Sequence, residues 1–183
     1  MTIKLFLTLL FCFICSVAYA TEVTYYFDAY DSGEAWDTKP EDMVDGTTDT
    51  FALSGGIGDI ELCNGNTCLG TDLGIITKVE IRIYAAAIQE GYDYIYLRPV
   101  FSGGDGDNHD VGSLSYDGEW SSYYDITSDT NAPANWTWTD IQNLDCDVED
   151  YQDGGLSTTF ASKVEIRVTY TAGVAARRII LIQ

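Results

Sequence analysis

The sequence predicts an all-β fold: an antiparallel β-sandwich, jelly-roll-like, with one short helix. The composition is that of a β protein, with 13 Tyr and 17 Gly against only 2 Met. Apolar and polar residues alternate with period two in several segments. Turn-forming runs such as "VDGTTDT", "SGGDGDNHD" and "YQDGG" separate these segments. Short strands at such intervals beside a single helix are typical of a sandwich.

The N-terminal 20 residues have the features of a secretory signal peptide. Lys4 supplies a positive charge, residues 5–17 form an apolar core, and Ala18-Tyr19-Ala20 fits a signal peptidase. The apolar run is short for a membrane span. We therefore expect residues 1–20 to be removed and residues 21–183 to form a single β-sandwich domain. The expected location is extracellular, at the cell surface or in the extracellular matrix.

The charge is strongly acidic, with 29 Asp and Glu against 9 Lys and Arg and a net charge of −20. A field of this sign repels nucleic acid and anionic membranes, so we expect neither as a partner. It is compatible with a solvated extracellular surface and with cation binding. No segment after the signal peptide is long and apolar enough to predict membrane insertion.

Six segments alternate as strands do, and one segment has helical spacing. In the fifth, Val164, Ile166 and Val168 share one face. Pro99 predicts an edge or a bulge in the third segment. A short helix is expected over 137–144, with capping-box spacing at Thr139 and Gln142 and apolar Ile141 and Leu144 on one face. The expected strands are 21–30, 76–86, 92–101, 119–126, 162–171 and 173–183.

The segment "KVEIR" occurs twice, at 78–82 and 163–167. The two copies are either ordinary strands with one face inward or the mark of a duplicated half. Glu80 and Glu165 resemble the carboxylate pair of a glycosidase, but Lys and Arg flank each on the same face. Positive neighbours favour the ionised carboxylate and oppose a general acid. We therefore expect a ladder of salt bridges on a solvated face and no enzyme.

The remaining residues offer no catalytic group with a partner. His109 is the one histidine of the chain, and it lies in the turn-rich run "GGDGDNHD". A nucleophilic triad or a zinc site would have to use it, and no nucleophile elbow or suitably spaced cysteine accompanies it. We interpret it as a loop residue.

Three cysteines follow the signal peptide. Cys63 and Cys68 bracket the turn-forming run "NGNT", so we expect them to form a local disulfide in an oxidising compartment. Cys146 is then left over, either buried and inert or paired between chains.

The loop "DGDNHD" is the best candidate for a cofactor, which would be Ca²⁺. It places hard oxygen ligands in one glycine-rich segment, although its spacing is not that of an EF-hand. The expected ligands are Asp105, Asp107, Asn108 and Asp110.

Trp136 and Trp138 share a face if the run "NWTWTDIQNL" is extended. Exposed aromatic rings beside polar groups stack on sugar C–H faces, so these two residues are candidates for glycan binding. They equally fit the end of the sandwich core. Asn135 heads the sequon Asn135-Trp136-Thr137 and is a candidate glycosylation site.

Two stretches resemble known proteins. Residues 40–54, "PEDMVDGTTDTFALS", are similar to an early segment of galactose-binding-like, discoidin-type jelly rolls. The resemblance rests on five residues (Val44, Asp45, Gly46, Thr48 and Thr50), and it implies a turn near a structural calcium. Residues 136–170 resemble a tract of uncharacterised secreted and virion-associated β-sandwich proteins. That resemblance implies a sandwich in an external assembly and no known chemistry.

Three functions fit these observations. The first is a structural subunit of an extracellular filament or surface assembly that self-associates by exchanging a strand between copies. Its assembly strand would contain Ile179, Ile180, Leu181 and Ile182, which are apolar at consecutive positions and so favour burial on both faces. The alternative is a calcium-stabilised carbohydrate-binding or adhesive module. A small glycosidase using Glu80 and Glu165 comes third.

Overall fold

A computed structural model describes residues 19–31, 36–54, 56–87, 93–112, 114–152 and 158–172. The expected terminal strand and all but the last two residues of the expected signal peptide lie outside these ranges. A 3-10 turn covers Pro40–Met43 and helix α1 covers Trp138–Gln142. The strands are β1 (Ala20–Tyr30), β2 (Ala52–Ser54), β3 (Ile60–Asn66), β4 (Gly74–Ala87), β5 (Asp93–Phe101), β6 (Gly104–Asp105), β7 (His109–Asp110), β8 (Glu119–Trp120), β9 (Tyr124–Asp125), β10 (Asp145–Gln152) and β11 (Thr159–Ala172).

The strands form one continuous antiparallel sheet that turns back on itself at β1. Its order is β6-β5-β10-β3-β1-β11-β4-β8, with β2 on β11, β7 on β5 and β9 on β4. The first part of β1, Ala20–Tyr26, pairs with β11, whereas Phe27–Tyr30 pair with β3. β1 therefore joins two halves whose buried side chains meet in a single core. This arrangement confirms the predicted all-β antiparallel sandwich with one short helix.

The period-two pattern of the sequence accounts for the core. Alternate residues of the long strands point inward and are fully buried, as expected for strands with one face on a core. One side of the core is filled from β4 and β11 by Val79, Ile81, Ile83, Val164, Ile166 and Val168. The other side is filled by Phe27 of β1 and by Ile95 and Leu97 of β5.

Pro99 lies where its missing N–H costs least. Its carbonyl accepts a hydrogen bond from Gly106 N at 2.7 Å, on the side of β5 that carries only the short strands β6 and β7. The edge expectation for Pro99 therefore agrees with the structure.

Two local expectations are corrected. The segment 119–126 is not one strand but the two-residue strands β8 and β9, each paired with β4. The helix cap is Thr137 with Asp140, not Thr139 with Gln142: the Thr137 hydroxyl accepts from Asp140 N, and the Asp140 carboxylate accepts from Thr137 N. The aspartate completes the capping box from the third helical position. Ile141 is buried on the inward face of the helix as expected.

Candidate functional site

The two "KVEIR" segments lie side by side, on β4 and β11. Glu80 is opposite Arg167 and Arg82 is opposite Glu165. The strands are antiparallel, and in their observed register each glutamate of one copy is opposite the arginine of the other copy. We call the six residues the charge ladder: Lys78, Glu80, Arg82, Lys163, Glu165 and Arg167. The duplication does not produce two facing halves, because its copies are neighbours in one sheet.

Each glutamate is held by one arginine and one lysine. Arg167 Nε donates to Glu80 Oε2 at 2.8 Å, and Lys78 Nζ donates to Glu80 Oε1 at 2.5 Å. Burial raises the pKa of Glu80, but the hydrogen bonds from Arg167 and Lys78 outweigh it and hold the pKa below its ordinary value. Glu80 is therefore ionised at neutral pH, the state opposite to that of a general acid.

The second half of the ladder repeats this arrangement. Arg82 Nε and Nη2 both donate to Glu165 Oε2, at 2.9 and 2.7 Å, and Lys163 Nζ lies 3.2 Å from Glu165 Oε1. The two carboxylates are thus each engaged by two cations. This geometry fits a structural ladder, since each of the four carboxylate oxygens contacts a positive group.

Aromatic rings cover the ladder. Tyr123 lies over both arginines, with its ring centroid 4.3 Å from Arg82 Cζ and 3.7 Å from Arg167 Cζ. Trp120 lies 3.9 Å from Arg82 Cζ. Residues Glu80 and Glu165 are only 3% and 7% exposed as a result. The expected ladder is present, but the expectation of a solvated face is wrong, because the segment between β8 and β9 folds over it.

The acidic loop does not gather its carboxylates. Asp105 Oδ2 lies 3.9 Å from Arg98 Nε, Asp107 Oδ2 accepts from Thr130 N at 3.3 Å, and Asp110 Oδ1 accepts from Gly112 N at 2.7 Å. In the described ranges, no group of three or more His, Cys, Asp or Glu residues is placed to hold a metal ion. Calcium binding by Asp105, Asp107, Asn108 and Asp110 stays a prediction.

His109 anchors this loop, a role that the sequence did not reveal. Its Nε2 lies 2.7 Å from Asp129 Oδ2, and its ring lies 5.5 Å from that of Tyr124. The pair joins positions 20 residues apart, so no local pattern identifies it.

The structure brings the two candidate tryptophans to one groove of about 360 Å³. Trp138 Nε1 donates to Gly74 O at 2.8 Å, and this residue is only 4% exposed. Trp136 is half-buried, and its Nε1 donates to Thr127 O at 2.9 Å. Trp138 therefore belongs to the core, and Trp136 is the more exposed of the two tryptophans at the groove. The groove is lined by Gly70, Asp72, Gly74, Ile75, Trp136, Thr137, Trp138 and Thr139. The candidate glycosylation residue Asn135 is exposed.

A second concave surface was not anticipated from the sequence. It has a volume of about 260 Å³. Phe51 and Phe160, whose rings meet edge to face at 6.2 Å, form part of its wall. Its full lining is Phe51, Ala86, Tyr116, Asp117 and Phe160.

The cysteine expectation is corrected. No two of Cys63, Cys68 and Cys146 are bonded in the structure, so the expected Cys63–Cys68 disulfide is not present. The run "NGNT" does not turn back at once: β3 continues to Asn66, which extends the chain away from Cys63 by about 3.3 Å per residue. Cys146 is not an isolated residue either, because it lies directly opposite Cys63 in the β3–β10 pairing.

No family model matches the chain, and no curated protein matches it. Among the described residues, no helix is long and apolar enough to cross a membrane.

Proposed function

We propose that this protein is a secreted, non-catalytic structural subunit that self-associates into an extracellular filament or surface assembly by strand exchange. The observation that carries the proposal is the edge of β1. Ala20–Tyr25 pair with β11 on one side, and within the described part of the chain no strand pairs with the other side. An unpaired edge is a template for a strand from another chain.

The direction of the backbone groups supports this edge. Tyr26 N donates to Thr67 Oγ1, and Tyr26 O accepts from Thr67 N, so the main-chain groups of Tyr26 face away from β11. Because these groups alternate along a strand, the N–H groups of Glu22 and Thr24 face the same way. Both residues are exposed, so another chain has access to them.

The strand that we propose as the donor contains Ile179, Ile180, Leu181 and Ile182. Two arginines precede it, and they complement Glu22 on the acceptor edge. β11 ends at Ala172, and its Thr171 is opposite Ala20, so the chain leaves β11 beside the start of this edge.

The chemistry of the charge ladder supports a non-catalytic role. Its glutamates are paired, buried and covered by Tyr123, and Glu80 is held ionised. A glycosidase instead needs one protonated carboxyl group facing a substrate cleft. Turnover of a polysaccharide that is lost in Glu80→Gln or Glu165→Gln would overturn this part of the proposal.

Electron microscopy and light scattering of residues 21–183 test the assembly. We expect the wild type to form concentration-dependent oligomers or filaments and a chain lacking residues 177–183 to remain monomeric. Glu22→Pro removes the edge N–H and should block assembly, whereas Glu22→Ala removes the same charge and keeps the N–H. Uniformly monomeric wild type at high concentration, or assembly that survives both the deletion and Glu22→Pro, would refute the proposal.

The groove at Trp136 favours a second candidate, a calcium-stabilised carbohydrate-binding or adhesive module. A half-buried aromatic ring beside Asp72, Thr137 and Thr139 is the combination that stacks on and hydrogen-bonds to a sugar. A polysaccharide pull-down tests it, and Trp136→Ala should abolish binding. Thermal unfolding with calcium and with a chelator tests the metal, since bound Ca²⁺ must raise the melting temperature. An unchanged melting temperature would eliminate the calcium component.

A further inference from the structure

We propose that Cys63 and Cys146 form a disulfide that links β3 to β10 when the chain folds in an oxidising environment. The proposal rests on the secretion part of the proposed function and is independent of self-association. It replaces the local Cys63–Cys68 pair suggested by sequence spacing, and it leaves Cys68 as the remaining thiol.

The register of the sheet carries the proposal. Cys146 is directly opposite Cys63, in a ladder that continues through Asp147↔Leu62 and Val148↔Glu61. Directly opposed residues of antiparallel strands have Cα atoms about 4.5–5.5 Å apart. Disulfides need a Cα separation of about 4.4–6.8 Å. The pairing therefore places the two Cα atoms in the range that a disulfide spans. The two sulfur atoms are not bonded in the structure, so forming the bond requires the side chains to turn towards each other.

The two side chains share one environment. Both are fully buried on the core-facing side of the sheet, where opposed residues of neighbouring strands point the same way. Burial raises the pKa of Cys146, and the neighbouring Cys63 thiol raises it further, which agrees with their proximity. A disulfide is apolar and makes no demand for hydrogen bonds, so the linked pair suits this position at least as well as two thiols.

Cys68 is not a competing partner. Cys68 follows the end of β3 by two residues, and its Sγ is 4.0 Å from Trp138 O. Tyr25 lies beside it: burial and the neighbouring Cys68 together raise the pKa of Tyr25 to about 12. The contacts of Cys68 thus belong to a different part of the core.

The bond forms during folding, not afterwards. A thiolate is the attacking species, and in the folded chain burial raises the pKa of both thiols and removes them from solvent. In the folding chain, one cysteine thiolate attacks a small-molecule disulfide such as glutathione disulfide and releases one glutathione thiolate. The second cysteine thiolate then attacks the mixed disulfide and releases the second glutathione. The two protein thiols lose two electrons and two protons in total, and the oxidant is reduced to two thiols.

Oxidative refolding tests the proposal. Residues 21–183 are unfolded, refolded with reduced and oxidised glutathione, denatured, alkylated and digested for mass spectrometry. We expect a chain lighter by the mass of two hydrogen atoms before alkylation, one alkylated cysteine at Cys68, and a cross-linked pair of peptides that contain Cys63 and Cys146. Reduction should lower the melting temperature by on the order of 10 °C, because the bond closes a long loop.

Three variants make the result specific. Cys68→Ser should keep the cross-link, whereas Cys63→Ser and Cys146→Ser should each leave two alkylatable thiols. Protein collected directly from a secreting host provides a second sample that needs no refolding. Three alkylatable thiols in folded protein from both sources, or a Cys63–Cys68 link, would overturn the proposal. Neither outcome bears on assembly, which microscopy of the same samples measures separately.

Discussion

Replacing Glu80 by Gln should destabilise the protein by removing one charge from the centre of the ladder. The substitution keeps the shape of the side chain and an acceptor oxygen, so it tests the charge and not the packing. Glu80 has 5% of its side chain exposed, and its partners Lys78 and Arg167 have 42% and 27% exposed. In the variant both cations lose the carboxylate that they contact.

The magnitude follows from these exposures. Breaking a fully buried ion pair costs about 3–5 kcal/mol. An exposed pair contributes about 0–1 kcal/mol, because solvent screens it. Since the carboxylate is buried and the cations are partly exposed, we expect a loss of roughly 2 kcal/mol in the free energy of unfolding at pH 7. For a chain of this length, that corresponds to a fall of about 4–8 °C in melting temperature.

The pH dependence gives a second, independent signature. The pKa of Glu80 is lower in the folded state than in the unfolded state, so the stabilisation is fully present above the unfolded value of about 4.3. It disappears as the pH falls through the folded value, where the carboxylate becomes protonated. The difference in stability between wild type and Glu80→Gln should therefore be constant from pH 6 to 8, which lies well above about 4.3, and shrink below that value.

Urea unfolding followed by fluorescence measures the loss of stability at pH 7. The same measurement repeated from pH 8 down to values below about 4.3 gives its pH dependence. Glu41→Gln is the matched control, because Glu41 is exposed on the 3-10 turn. It should change stability by less than about 0.5 kcal/mol. Equal stability of wild type and Glu80→Gln at pH 7, or a difference that does not narrow in acid, would refute the account of the ladder as a stabilising network.

Two further substitutions test neighbouring parts of the structure. Tyr123→Leu removes the ring that covers Arg82 and Arg167 and should lower the free energy of unfolding by roughly 2 kcal/mol. Tyr123→Phe keeps the ring and should lower it by less than about 1 kcal/mol. Equal losses in the two variants would contradict the cation–π assignment. Gly74→Ala would press a Cβ against the backbone oxygen of Thr171 at a φ of 135°, and thermal unfolding should show a loss of about 3 kcal/mol or more. Gly58→Ala controls for backbone strain alone, since its φ is 80° and nothing lies within 4 Å, so a loss of about 1 kcal/mol is expected there.

The long strands were predictable because their signal is local. Period-two alternation in β4 and β11 follows directly from one buried face, and Val79, Ile81 and Ile166 lie in the core as that pattern requires. Ile141 is buried on the inward face of helix α1, as its helical spacing with Leu144 predicts. In these segments the apolar or polar character of each residue indicates whether it is buried or exposed, so the elements can be predicted without knowing the partner strands.

β3 was not predictable, because contacts distant in sequence convert a turn-forming run into strand. Asn66 Nδ2 donates to Ile141 O at 2.9 Å and to Leu144 O at 3.2 Å, which fixes the end of the strand against the helix. Gly65 lies within β3 but has a φ of 68°, a value typical of turns and not of regular strands. The aromatic cover of the ladder was hidden in the same way, since Tyr123 lies about 40 positions from either "KVEIR" segment.

The repeated motif does more than supply two similar strands: its charges specify how β4 and β11 pair. In the observed register Glu80 faces Arg167 and Arg82 faces Glu165. A slip of two residues one way would place Glu80 opposite Glu165 and Lys78 opposite Arg167, and a slip the other way would place Arg82 opposite Arg167. Like charges directly opposite one another are destabilising, and a slip of one residue would turn the whole charged face into the core. The ladder therefore excludes the neighbouring registers in addition to stabilising the observed one. Because Tyr26 of β1 is opposite Glu165, β1 adjoins the ladder on the other side of β11, so the register that the charges specify continues into a third strand.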